Sequence, residues 1–237
     1  MSKSVKKLCF VLFVISALAL GACAAFNASS GSLVTREFDL EPFNQVQISG
    51  VARATFRQSD NHRVVVTARE GVFDRLRLNV SNNTFSHRFR GIGIINSSLE
   101  LVIYAPYLVS AAFSGSSSAA DWDTISGDAF SIRLSGASSP NINVNVQNLD
   151  IRASGSGRLT LNGSADNLDI RASGSSAINA FDFEAVNAEL RTSGASRADV
   201  FVTDHLNTAT SGSARVRYQG NPAVTGSSSG ASSVRPY

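Results

Sequence analysis

The residues with the clearest chemical potential are arginines and acids that recur in register. Arg133, Arg152, Arg171 and Arg191 stand in SIRLSG, DIRASG, DIRASG and ELRTSG, and Asp150, Asp169 and Glu189 stand two positions before the last three. A row of guanidinium groups can grip an anionic polymer or a sugar carboxylate through paired N–H donors. The acid row beside it can instead neutralise it, leaving a solvated face that also blunts edge pairing. Both readings stand on sequence alone. A second constellation is Asp121-Trp122-Asp123, which holds the single tryptophan of the chain. Paired carboxylates can act as acid and base in glycoside hydrolysis, and an indole face stacks on sugar. On a strand, however, residues two apart share a face and neighbours oppose. Trp122 is then expected inside as a core anchor with Asp121 and Asp123 outside, and in the competing reading Trp122, Asp121 and Asp123 are candidate sugar contacts.

Other chemistry is thin. The histidines are His62, His87 and His205, and only Asp204-His205 puts a carboxylate beside one. No metal site is expected from that spacing. The many serines are not assigned to a nucleophile elbow. No catalytic residue and no cofactor are assigned. All three lysines (Lys3, Lys6, Lys7) lie in the first seven residues, leaving eighteen arginines against eighteen acids. A neutral body lacks the basic footprint of a nucleic-acid partner. Missing lysine beyond residue 7 also excludes a Walker-type phosphate loop and a Schiff-base lysine.

The N-terminus reads as a targeting segment. A basic start (1–7) runs into the apolar stretch LCFVLFVISALAL (8–20) and then small residues, the order of a secretory signal. A membrane-spanning anchor is the competing reading, since the apolar run is nearly long enough to cross. Leu20-Gly21-Ala22-Cys23 resembles the lipobox of bacterial lipoproteins and favours the signal. That assigns 1–22 to the signal peptide, Cys23 to lipidation and 23–35 to a flexible tether. The expected partner is then the membrane through the N-terminal lipid, with a glycan or envelope protein as a further possible partner. Ala24 in place of Asp points to the outer membrane of a cell envelope. With Cys9 removed and Cys23 acylated, no thiol remains for a disulfide or a zinc site.

These residues must be positioned by a repeat. Ser-Gly recurs at 114, 135, 154, 173, 193, 211 and 229, with spacings of 18 to 21 residues. Within each unit the period is two: Ile151 and Ala153 alternate with Asp150 and Arg152, and Leu168, Ile170 and Ala172 alternate with Asp169 and Arg171. Such a unit has no room for a helix of ten residues. The pattern predicts an all-β protein, a single-chain parallel β-helix (β-solenoid), right-handed by the common case. Coils of about 18–21 residues would each bury one face of two short strands by stacking. Residues 36–110 carry longer alternating segments and six of the fourteen phenylalanines, and are expected to form N-terminal strands and a cap. Residues 111–237 are expected to form the coils, closed by a C-terminal cap at Arg215–Tyr237.

A family resemblance rests on the order of these parts. Phe43-Asn44-Gln45-Val46 runs into Ile48-Ser49-Gly50, Leu99–Pro106 runs into Phe113-Ser114-Gly115, and Ser-Gly coils follow to the end. Residues 36–237 resemble the bacterial auto-transporter adhesin head GIN domain family. The resemblance implies a β-helical, exported protein and an adhesin-like function, and it supplies no catalytic residues. The leading expectation is a non-enzymatic binding or scaffold protein of the envelope. A carbohydrate-active β-helix enzyme is the alternative, on fold analogy. An ice-binding solenoid is the third reading, and Thr208-Ala209-Thr210 is the one Thr-x-Thr that fits it.

Overall fold

A computed structural model describes residues 31–90 and 99–237. The expected signal peptide, Cys23 and most of the expected tether lie outside the described residues.

The chain is a β-solenoid of about seven turns. Its regular part begins at β8 (Ser110–Phe113), β9 (Ser118–Ala119) and β10 (Ile125–Leu134). β11 (Ser139–Ala153), β12 (Arg158–Ala172), β13 (Ala177–Thr192) and β14 (Arg197–Thr210) follow, each one coil without its Ser-Gly corner. Every coil pairs in parallel with the next: Ile132 on Ile151, Ile151 on Ile170, Ile170 on Leu190 and Leu190 on Thr208. The sequence predicts two short strands per coil. The structure runs them together into strands of 14 to 16 residues. The reason is that pairing to the neighbouring coil persists through the bend between the two faces.

Alternation decides what is buried. Ile142, Val144, Leu149 and Ile151 point inward and are almost fully buried, as are Leu159, Leu161, Leu168 and Ile170. The corners also stack. Gly50, Gly115, Gly136, Gly155, Gly174, Gly194, Gly212 and Gly230 form one column, each with φ between +69° and +78°. The left-handed conformation turns the chain, and the absent Cβ lets the corners approach. The Gly136 carbonyl accepts from the Ser156 N–H at 2.8 Å, and the Gly155 carbonyl from the Ser175 N–H at 2.8 Å. The serine three positions after the corner serine turns inward. Ser176 and Ser196 are buried, and their hydroxyls donate to the carbonyls of Ser173 (3.0 Å) and Ser193 (2.9 Å).

The lower end is built differently. β2 (Gln45–Ile48) and β3 (Ala52–Gln58) meet at Ser49-Gly50 and form a coil layer, so the corner column starts 65 residues before the regular repeat. β8 stacks on β2 from above, and β6 (Thr84–Phe89) stacks on it from below. β9 and β7 (Leu99–Ala105) flank β3 in the same way. The terminal strands turn antiparallel. β4 (Arg63–Arg69) lies between β7 and β1 (Leu33–Asp39), and β5 (Leu76–Ser81) pairs with β6 after the short helix α1 (Glu70–Phe73). Buried Phe43, Phe56, Phe73 and Phe85 fill this end. β1 starts at Leu33, which pairs with Arg69, so the tether is shorter than its expected end at 35. Val34 and Phe38 pack against the core and take up a strand period there.

The upper coils are β15 (Arg215–Gln219), β16 (Ala223–Ser228) and β17 (Ser233–Pro236). Tyr218 packs against the core, but Tyr237 lies outside it, with its ring 4.7 Å from that of Phe181. Between Ala180 and Glu184 the chain loses register with β14, leaving Phe181 partly outside while Phe183 stays buried, and Tyr237 packs on Phe181 there. Arg217 closes this cluster. It lies over the Phe181 and Tyr237 rings and donates to both oxygens of the nearly buried Asp199, at 2.7 and 2.6 Å.

Two measurements check this account. An added Cβ at Gly155 would sit 2.7 Å from the Gly136 oxygen, whereas at Gly50 it would meet nothing within 4 Å. Gly50→Ala is expected to cost about 1–2 kcal/mol from the left-handed conformation alone, and Gly155→Ala clearly more, in denaturant unfolding. His87 is the second. Its Nε2 accepts the Ser49 N–H at 3.2 Å, Nδ1 is buried without a partner, and burial pushes the imidazole down to about 4. An unfolded imidazole binds its proton near 6.5. Between these values the unfolded chain holds the extra proton, so stability should fall by about 3 kcal/mol as pH drops from 6.5 to 4. His87→Leu should flatten that slope in pH-dependent melts.

Candidate functional site

One face of the solenoid carries the columns singled out by sequence. It is made by β8 and by the C-terminal halves of β10 to β14. Arg133, Arg152, Arg171 and Arg191 stack in register, followed by Ala209. Ser131, Asp150, Asp169, Glu189 and Asn207 form the column beside them. Adjacent coils are ~4.8 Å apart, so the guanidinium groups repeat at that pitch.

Each acid binds the arginine of its own coil. Asp150 Oδ1 lies 3.1 Å from Arg152 Nε, Asp169 Oδ1 lies 3.3 Å from Arg171 Nε, and Glu189 pairs with Arg191. Residues two apart on a strand share a face, which is why the pairs form along the strand. All three are solvent-facing, so each contributes at most about 1 kcal/mol. Arg133 is different. The acid's slot holds Ser131, whose hydroxyl bonds the Ser110 hydroxyl at 2.9 Å. Among the described residues Arg133 makes no ion pair.

Clefts flank the columns. On the arginine side a groove of about 470 Å³ runs from Gln47 past Arg133, Arg152 and Arg171, with Ser135, Ser154 and Ser173 along it. On the acid side a cleft of about 690 Å³ is bordered by Tyr107, Asp128 and an asparagine column. Asn167 donates to Asn148 Oδ1 at 3.0 Å, Asn187 donates to Asn167 Oδ1 at 3.3 Å, and Asn148 donates to the Asp128 carbonyl at 3.3 Å.

Comparison with known proteins places this fold in a family. The family model described as "Putative auto-transporter adhesin, head GIN domain" matches residues 42–222. The chain belongs to this family. Among solved structures, the "putative adhesin" of Bacteroides fragilis NCTC 9343 superposes with a TM-score of 0.80 at 20% identity, over 88% of this chain and 99% of that one. The "putative adhesin" of Parabacteroides merdae ATCC 43184 gives 0.74 at 19%, over 88% and 98%. A structure from Parabacteroides distasonis ATCC 8503, described as a "putative lipid binding protein", gives 0.71 at 22%, again over 88% and 98%. At these identities the likeness establishes the fold. A comparison with curated proteins found no match.

In this head GIN domain the Trp122 cluster is architectural. Trp122 is buried, its ring lies 5.7 Å from Phe56 and 5.8 Å from Phe113, and its indole N–H donates to the Ala54 carbonyl at 2.9 Å. It therefore presents no face to a sugar, which corrects its candidacy as a sugar contact. The segment is a loop rather than a strand, and Asp121 has φ +57°. Both acids are held by Arg57, and Asp123 Oδ2 also accepts the Gln58 N–H at 2.8 Å. Asp121, first through its hydrogen bond and then through its charge, pushes the Arg57 guanidinium above its ordinary value. Carboxylates bound this way pin the end of β3 and are a poor acid–base pair.

Two further expectations can be placed. Thr208 and Thr210 occupy inward slots and are buried, so they form no flat ice-facing column. His205 bonds Asp204 at 2.9 Å at an exposed position above Asn187, and no group of three or more metal-ligating side chains exists among the described residues. Sequence reasoning missed Tyr107 and Asp128. The alternation of β7 ends at Pro106, so no period marked Tyr107 as outward. Asp128 stands at a coil bend, where the period-two rule breaks.

Proposed function

We propose that this head GIN chain is a lipid-anchored cell-envelope protein that binds an anionic glycan without transforming it, in the manner of an adhesin. The observation that carries the reading is the straight arginine column of Arg133, Arg152, Arg171 and Arg191 with a hydroxyl-lined groove at its side. An extended polymer with a carboxylate, sulfate or phosphate on each repeat advances by a similar pitch and meets one guanidinium after another. Paired N–H donors suit such groups. Arg133 supplies an uncompensated charge at the lower end, and Arg152 and Arg171, themselves exposed, can turn from their half-buried acid partners to a ligand. The adhesin descriptions carried by the family and its neighbours support a binding role. The lipobox-like Leu20-Gly21-Ala22-Cys23 supports envelope anchoring, with Cys23 acylated and the outer membrane as the destination.

Two experiments test these parts. The full-length protein is applied to an array of acidic and neutral glycans beside the Arg152→Ala/Arg171→Ala double variant. Acidic glycans should bind, and the double variant should lose tenfold or more. Silence of every acidic glycan, or equal binding by the variant, would leave the column a solvated face. Mass spectrometry of the protein from membranes should find a lipid-modified Cys23 as the first residue, and Cys23→Ala should abolish the modification. A mature chain starting elsewhere would overturn the anchor.

A further inference from the structure

The cleft on the acid side has a chemistry opposite to that of the arginine groove. Tyr107 is 54% exposed at its mouth, next to the part-exposed Val109. The walls bring Asp128, Asn148, Asp150 and Asn167 into a space of about 690 Å³, and none of the lining residues is cationic. We propose that this cleft is a binding subsite for an uncharged sugar unit, with the Tyr107 ring stacking on the sugar and the amide and carboxylate groups taking its hydroxyls.

Tyr107 is presented by a rigid segment. The Pro106 carbonyl accepts from Gln58 Nε2 at 3.0 Å, Leu108 is buried, and the Val109 N–H donates to the Asn44 carbonyl at 2.8 Å. A preordered aromatic face costs little conformational entropy on binding. An aromatic ring attracts the C–H face of a pyranose and leaves its rim of hydroxyls to polar groups.

The polar groups are also fixed. Each asparagine donates to the next amide or carbonyl down the column, in one direction from Asn187 through Asn167 and Asn148 to the Asp128 carbonyl. That use of one N–H leaves a second N–H on each amide, and each oxygen keeps a lone pair. Adjacent hydroxyls on a sugar want this mixture of donor and acceptor. Asp128 adds acceptors that take hydroxyl protons.

Charge then selects among sugars. Asp128 makes no ion pair among the described residues, and no lining cation offsets it. A carboxylated or sulfated unit would be repelled here, whereas neutral hydroxyls are welcome. A peptide strand fits less well. β10 is already paired with β8 and β11, and β11 with β10 and β12, so the walls have no free backbone edge for strand addition. The inference is separate from the anionic reading of the arginine column, because it needs neither Arg152 nor Arg171.

The test uses the full-length protein, an array of neutral, acidic and amino oligosaccharides, and the variants Tyr107→Ala and Tyr107→Phe. Neutral glycans should bind. Tyr107→Ala should weaken that binding about tenfold, while Tyr107→Phe keeps it within about threefold because the ring is retained. Circular dichroism should show unchanged strand content in both variants. Arg152→Ala/Arg171→Ala should leave neutral binding intact, and failure of every acidic glycan to bind the unaltered protein would count against the arginine column and not against this cleft. No binding of any neutral glycan, equal binding by Tyr107→Ala, or equal loss in both tyrosine variants would overturn the proposal. So would a cleft that takes only peptides or only amino sugars.

Discussion

Everything in this molecule depends on one coil lying flat on the next at strand spacing. That contact satisfies the backbone of each coil with the backbone of its neighbours, and it buries a single row of side chains per face. The corner glycines are where the constraint is tightest. An alanine Cβ at Gly136, Gly155 or Gly174 would sit 2.7 Å from the carbonyl oxygen of the corner below. Once the corners are held at that distance, residues of equal rank must stack. The arginine, acid, serine and asparagine columns follow from the corner geometry without further design. The chain absorbs variation elsewhere. Phe181, Asp182 and Phe183 have no partner on the coil above, and the Ser-Gly register is untouched.

The same constraint explains how like charges are tolerated in a row. Arg133, Arg152, Arg171 and Arg191 are forced to stack, and the sequence answers by putting an acid two residues before three of them. Neutralisation runs across the columns. The exception at Arg133, where Ser131 replaces the acid, gives the column a polarity that a uniform repeat would lack. Amide groups stack favourably for a different reason, since each is both donor and acceptor.

Most of the regular architecture was legible from the repeat. Ile151, Leu168 and Ile170 fall inside, and Arg152 and Arg171 outside, because a period of two has one solution once a core exists. The Ser-Gly pairs announced their own stacking. What stayed hidden was whatever the period does not govern. β6 and β7 carry no Ser-Gly signal, yet they form a layer beneath β2 and β3, and nothing local marks that order. Tyr107 follows a proline at the end of a strand, so its outward ring is a matter of loop path. Trp122 was legible as a core residue. The acids beside it were not, because their partner Arg57 lies 64 and 66 residues away.

The lower end has a temporal consequence. Val46 on β2 is covered from above by Ala111 on β8 and from below by Phe85 on β6. As the chain is synthesised N-terminus first, the β2–β3 layer emerges with both of its flat surfaces bare. It must wait for some 65 further residues before both are covered, and non-local closures of this kind are slow. From Phe113 onward every new coil finds its template already in place about twenty residues behind. Assembly is thus one slow founding event followed by fast sequential growth, and the chain is least protected before residue 113 appears.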